Sequence, residues 1–432
     1  MIKIFDYDFF FLIKKIPYLW FFAFINGFSN FIIFVILANH LSPENYGLFY
    51  SSFILISFFA SFSGFGMETL ILKLFGKYKN ELYKFKNNFL KYFFLTSFIS
   101  IFSYLIIIYL LKDIFHITYS LLLIPLIFNL FLTNIVNLKY QLEKKFVYLS
   151  IWNFIHNFLR LSLVIIFYFF FIINIQNTII IFIISSIIMI LLSIFEISKI
   201  DFKLIDYIHD FQLNKDNLVD NSVNNIFYII KNSIPYGLAG LFFLIYYQID
   251  IIFLKILKND FSVSIYGACF IILSAIYIFP SVISSKIFSP SIHKYSNDKI
   301  FLIKNLKFIL PIFFVSGIFA FIFIFLLSSL IINLLFSDIY FDAILLLKVL
   351  SFAIPIRFLI AILGIFLETN NLIFIKVKLM SIAAISNIIL NLLLIPHYDI
   401  FGAAVATIIT ELLLLIMYLY LVFIKIFKKS NI

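Results

Sequence analysis

Arg160 and Arg357 are the only arginines in this chain of 432 residues, and each interrupts a long apolar run, as does Glu411. A charge held in hydrocarbon costs about 2.5–3.5 kcal/mol on insertion scales, so residues of this kind mark function by default. The guanidinium fork pairs bidentately with phosphate or carboxylate oxygens, which makes an anion the natural ligand of either arginine. Arg160 falls on one helical face with Asn153, His156 and Asn157, and Arg357 on one with Ala361, Gly364 and Glu368. Similar stripes are Ser57, Ser61, Gly64 and Glu68; Asn129, Thr133 and Asn137; Lys376, Met380, Asn387 and Asn391; and the pair Asn26 and Asn30. Small and polar stripes either glue membrane helices together or line a polar interior. Their recurrence along the chain favours a shared interior. Asp250, in Tyr246-Tyr247-Gln248-Ile249-Asp250, and Glu411, near Thr407, are carboxylates suited to coupling with a proton or a cation. For Glu411 the structural alternative is an ion pair with Arg357 or Arg160; for Asp250 it is a place near the membrane interface.

Enzyme signatures are poor, and neither a catalytic residue nor a metal ligand is assigned. Asp6-Tyr7-Asp8 has the acid spacing used to hold a metal nucleotide, but it precedes an apolar run with no nucleotide fold around it. No histidine or cysteine pair has ligand spacing, and no glycine-rich loop is placed to cradle phosphate. The single cysteine, Cys269, lies in an apolar run, where a small packing side chain is the plain reading. His397 and Asp399 sit together where a turn is expected.

Positioning such residues falls to helices that cross a membrane. Hydrophobic residues make up 64% of the chain and charged ones 12%, and the mean hydropathy is +1.13. No water-soluble core hides that much apolar surface. Twelve apolar runs are predicted to span, at 17–39, 48–70, 89–111, 114–137, 149–173, 177–198, 232–256, 263–286, 305–332, 344–367, 372–395 and 400–424. Helix is the expected form, because backbone groups in lipid must be satisfied within the segment and the runs lack the alternation of barrel strands. The start of the chain, with Lys14 and Lys15 after a short apolar run, does not read as a removable signal peptide.

The net charge of +11 resides in short segments between spans, so it speaks of topology and not of nucleic acid. With the N-terminus placed in the cytoplasm, 26 lysines fall on the cytoplasmic side and only Lys112, Lys255, Lys258 and Lys348 on the other. An even number of spans with both termini inside follows. The one long polar segment divides the chain into a six-helix bundle at 1–198, a cytoplasmic linker at 199–231 and a second six-helix bundle at 232–432. The halves echo each other: Ile16-Pro17-Tyr18 returns 218 residues later as Ile234-Pro235-Tyr236, and Tyr46-Gly47 returns 220 residues later as Tyr266-Gly267. Six spans per half make the repeats parallel.

Leu41-Ser42-Pro43-Glu44-Asn45-Tyr46-Gly47-Leu48-Phe49, directly after the first span, resembles the turn found at that place in the Wzx-type polysaccharide-biosynthesis flippases. These belong to the multidrug/oligosaccharidyl-lipid/polysaccharide exporter superfamily. Tyr247-Gln248-Ile249-Asp250 and Gly402-Ala403-Ala404-Val405-Ala406 are similar to that family as well. The resemblance implies an all-α integral membrane fold of two six-helix bundles around a central cavity that opens alternately to either side. It implies a substrate of undecaprenyl-diphosphate-linked oligosaccharide in the bacterial inner membrane, serving O-antigen, capsule or related lipopolysaccharide or surface glycan. Partners would be that lipid-linked oligosaccharide, membrane lipids, and a polysaccharide polymerase with its chain-length machinery. No cofactor is implied, beyond coupling to a H+ or Na+ gradient. On this basis Arg160, Arg357 and Lys376 are expected to hold the anionic headgroup, with Asn153, Asn157 and Asn26 on sugar hydroxyls and Glu411 and Asp250 in ion coupling.

Three other readings compete. A cation-coupled multidrug or metabolite exporter of the same superfamily would share the fold. A membrane-embedded polymerase or glycosyltransferase would need a large outer loop, and the outer loops here are short. A major-facilitator transporter also has six plus six spans, but residues 73–91 lack that family's Gly-Asp-Arg-Gly pattern.

Overall fold

The computed structural model describes residues 7–78, 86–143, 145–199, 226–289, 292, 295, 298–368 and 372–424, and these are almost wholly helical. Asp6 and most of the linker, 200–225, lie outside the described residues. The first half contains α1 (Tyr7–His40), α2 (Pro43–Ala60), α3 (Met67–Tyr78), α4 (Lys86–Leu110), α5 (Ile117–Leu122), α6 (Pro125–Leu142), α7 (Phe146–Phe170) and α8 (Ile175–Ser198). The second contains α9 (Ile226–Leu257), α10 (Asp260–Val282) running into a π-helical turn at Ile283–Phe288, α11 (Lys299–Leu335), α12 (Asp342–Ser351), α13 (Ala353–Phe366) and α14 (Ile373–Val422).

Nine of the described helices are long and apolar enough to cross a membrane, or ten when α12 and α13, bent by 41° at Phe352, count as one span. At 50 residues α14 is long enough to cross twice, and it is broken at Asp399, whose φ of 51° no helix accommodates. The second predicted span is α2 and α3, interrupted at residues 61–66, where Gly64 and Gly66 both take φ of 74°. Gly64 donates its N–H to Thr96 Oγ1, and Phe65 accepts from the Tyr92 hydroxyl, so the break satisfies backbone groups that hydrocarbon would leave bare. The predicted spans thus fall on helices, those at 48–70, 114–137 and 344–367 across a break and the last two on the single broken α14, and the chain is an all-α integral membrane protein. Its outward faces agree: Phe169, Phe170 and Ile172 are more than 70% exposed, a pattern water would not tolerate and lipid does.

Contacts group the chain into two compact units, one of residues 1–51, 173–175 and 242–432 and one of residues 52–172 and 176–241. In the second, Met67, Leu70, Tyr92, Phe93, Leu138 and Ile229 knit α3, α4, α6 and the start of α9 together. In the first, the echoed glycines are contact points. A Cβ on Gly47 would lie 1.9 Å from the Asp260 carbonyl oxygen, and one on Gly267 would lie 2.8 Å from the Tyr50 ring, so α2 and α10 approach closely at both places.

Candidate functional site

Arg357 sits on α13 with almost no exposure, and its neighbours are chosen for a cation. Glu411 Oε1, from the second arm of α14, lies 3.4 Å from its Nη1. Ring centroids of Tyr247, Phe243, Tyr246 and Tyr277 lie 4.5, 5.0, 5.5 and 5.7 Å from Cζ. The quadrupole of each ring offers its negative face to the guanidinium, so α9 and α10 supply through aromatic rings part of what water would supply outside. A long contact to one carboxylate, a hydrogen bond with Tyr246 and four rings hold the charge.

Around this group opens a cavity of about 460 Å³, within the roughly 300–1,000 Å³ of ligand sites. Its walls carry Arg357 and Gly364 from α13, Glu368 in the turn just after it, Lys376 and Tyr418 from α14, and serines 274, 281, 284, 285 and 289 along α10, the π-helical turn and the residue that follows it. Pro280 inside α10 lacks an N–H, and the turn that follows widens to the π form, which presents Ser284 and Ser285 on the wall. Lys376 Nζ is 2.6 Å from Glu368 Oε1. Gly364 leaves room for that amine, since a Cβ there would lie 3.4 Å from it.

One helical turn along α9 from Tyr246 and Tyr247, Asp250 is buried in a shell of neutral donors. Tyr266 donates to Oδ2 at 2.8 Å, Thr407 donates to the same oxygen, and Asn391 Nδ2 donates to Oδ1 at 2.5 Å. Asn391 Oδ1 is buried beside it with no partner. Asp250 is thus enclosed by protein side chains on every side that the described residues show. It shares α9 with Tyr246 and Tyr247, and Thr407 shares α14 with Glu411, so the same two helices serve both charged centres.

Arg160 is placed differently. On α7 it is 2% exposed, with its Cζ 4.3 Å from the Phe182 ring and 5.9 Å from that of Phe53, and its Nε has no hydrogen-bond partner. No carboxylate pairs with it among the described residues. His156 Nε2 lies 3.5 Å from Arg160 Nη2 and 3.0 Å from Asn129 Nδ2, and both nitrogens are donors, so Nε2 accepts. Asn137 donates to Asn153 at 3.2 Å, and Thr133 to Asn129 at 3.2 Å. The stripes of α6 and α7 therefore face each other as interhelical glue. Of the expected binding residues, Arg357 and Lys376 come together in the cavity; Arg160, Asn153 and Asn157 lie in the other unit, and Asn26, on α1, is not on the cavity wall. Sequence reasoning missed the aromatic cage and the serine wall. The spacing of Tyr246, Tyr247 and Asp250 was the available signal for the first.

A sequence profile described as "polysaccharide biosynthesis protein" matches residues 12–296, about two thirds of the chain. The chain belongs to this family. No curated protein sequence matches it. Among solved structures, it is similar to the lipid II flippase MurJ in an inward closed conformation, at 19% identity and a TM-score of 0.67, covering 95% of this chain and 87% of that one. It is also similar to an inward-facing multidrug resistance MATE family transporter of the MOP superfamily, at 16% identity and a TM-score of 0.69, covering 94% and 96%. A eukaryotic MATE transporter follows at 15% identity and 0.60, covering 98% and 97%. At such identities the likeness is one of fold, and the family member therefore has the fold of MOP-superfamily transporters.

Proposed function

We propose that the chain is a flippase that carries a polyprenyl-diphosphate-linked oligosaccharide across a bacterial inner membrane by alternating access, with both termini cytoplasmic, for assembly of an O-antigen, capsule or related surface glycan. The observation that carries this reading is the cavity in which Arg357 and Lys376 meet among tyrosines and serines. Two cations match a diphosphate, aromatic faces match the apolar faces of sugars, and serine hydroxyls match sugar hydroxyls. An incoming phosphate competes with Glu411 for Arg357 and with Glu368 for Lys376, so binding exchanges one anion for another and leaves no cation bare. A polysaccharide polymerase and its chain-length machinery would receive the product.

The multidrug reading has the MATE likeness and the caged carboxylate Glu411 in its favour. Arg357 against that carboxylate speaks for an anionic substrate over a cationic drug. Asp250, Thr407 and the free Asn391 Oδ1 form an oxygen set suited to a hard monovalent cation, and we assign ion coupling to this cluster, with Glu411 as the link between cation and substrate. Arg357→Ala, expressed at wild-type level in a strain dependent on this chain, is expected to lose surface glycan and to accumulate the lipid-linked precursor. Undiminished surface glycan in Arg357→Ala and Lys376→Ala would overturn the reading.

A further inference from the structure

A second cavity of about 390 Å³ lies in the same unit and shares Ile278 and Val282 with the charged one, but its chemistry is opposite. Phe24 of α1, Phe279 of α10, Phe319 of α11 and Phe358 of α13 form its walls, and Ala275 and Ala320 leave the open space between them. Phe24, Phe279 and Phe319 are 56%, 43% and 72% exposed, so in a spanning helix bundle the groove opens to lipid. Two close approaches shape it. A Cβ on Gly27 would lie 2.0 Å from Ile278 Cδ1, and one on Gly317 would lie 2.8 Å from the Pro355 Cα, so α1 rests on the shared wall and α11 on the helix that carries Phe358.

Arg357 and Phe358 are chain neighbours that face the two cavities, one into each, and the Phe279 ring stacks on Phe358 at 6.2 Å. A charged chamber and a hydrocarbon groove are thus separated by the thickness of one residue. A diphosphate esterified to one long apolar chain has the same two parts, joined directly. We propose that this groove seats the first isoprene units of the polyprenyl carrier while its diphosphate lies at Arg357 and Lys376; the proposal rests on the flippase reading. Lipid tails are as apolar as these walls, so the groove selects by contact and shape, and flat rings around an alanine floor fit a methyl-branched chain.

The test reconstitutes the full chain in phosphatidylcholine nanodiscs with a geranylgeranyl diphosphate analogue bearing a diazirine on its first isoprene unit, next to the diphosphate. Labels are expected on the peptides that carry Phe24 and Phe319. Ala320→Trp fills the groove and is expected to cut that labelling about tenfold, the effect of overpacking a well-fitted site. Val315→Trp, on the same helix, 66% exposed and off the groove wall, is expected to leave it unchanged. Unlabelled geranylgeranyl diphosphate should displace the probe, whereas equal displacement by phosphatidylglycerol would make the groove an ordinary acyl-chain site and overturn the proposal. Isopentenyl diphosphate, too short to fill the groove, separates the two claims: its binding should vanish in Arg357→Ala and persist in Ala320→Trp. Arg357-dependent binding of it without groove labelling would remove the groove and leave the flippase reading standing. If neither diphosphate binds, both fall.

Discussion

A guanidinium inside a membrane helix keeps its charge only with help from its neighbours, and Arg357 receives it from Glu411 and from the face of Tyr247. Arg160 has rings and His156 but no acid among the described residues. A buried charge without a counter-ion is costly, and an apolar residue of similar size is often neutral or stabilising in its place. Arg160→Met is therefore expected to keep or raise the melting temperature of the purified protein, and to lower surface glycan about tenfold if the side chain meets the substrate's anion during transport. A variant that is stable and fully active would make Arg160 a packing residue. Asp250 yields a second expectation. If its oxygens and those of Thr407 take sodium, the cation at about a hundred times its dissociation constant stabilises the fold by about 2.7 kcal/mol. Asp250→Asn, which keeps the shape, should abolish the sodium-dependent rise in melting temperature, with potassium as the control. The two arginines and the two carboxylates were legible in the sequence because charge is rare in apolar runs. The cage was not, since aromatic residues make up 21% of the chain and no single ring stands out from that background.

Helices carry these groups at angles that hydropathy does not encode. The twelve predicted runs fall on helices, but the interruption at 61–66 depends on neighbours that satisfy the freed backbone, Thr96 and Tyr92, and neither it, the bend at Phe352 nor the π-helical turn at Ile283–Phe288 is marked in the hydropathy. The paired stripes on α6 and α7 show the same gap: periodicity marks a polar face and leaves open what meets it. Where an element borders the cavity, space becomes the testable quantity. Gly364 on α13 faces Lys376 at 3.4 Å and Tyr418 at 3.8 Å from an added Cβ, ordinary contact distances. Gly364→Ala is thus expected to transport near the wild-type rate. Gly364→Leu should fill the chamber and abolish surface glycan at unchanged expression and melting temperature, and a fully active leucine variant would argue that substrate does not pass there.

At the level of the molecule, the lysine asymmetry makes the firmest claim. Reporter fusions after Lys112, Lys258 and Lys348 are expected to report the outer side, and fusions within 200–225 or at the C-terminus the cytoplasm; an outer location for 200–225 would reopen the polymerase reading. The internal echo, faint as letters, has a physical basis in the contacts made by Gly47 against Asp260 and Gly267 against Tyr50. Those contacts give the two halves a shared vulnerability. In a saturation mutagenesis library selected for function, tolerance plotted along the chain should autocorrelate at a lag of about 220 residues, with residues 47 and 267 as matching deserts where even alanine is depleted.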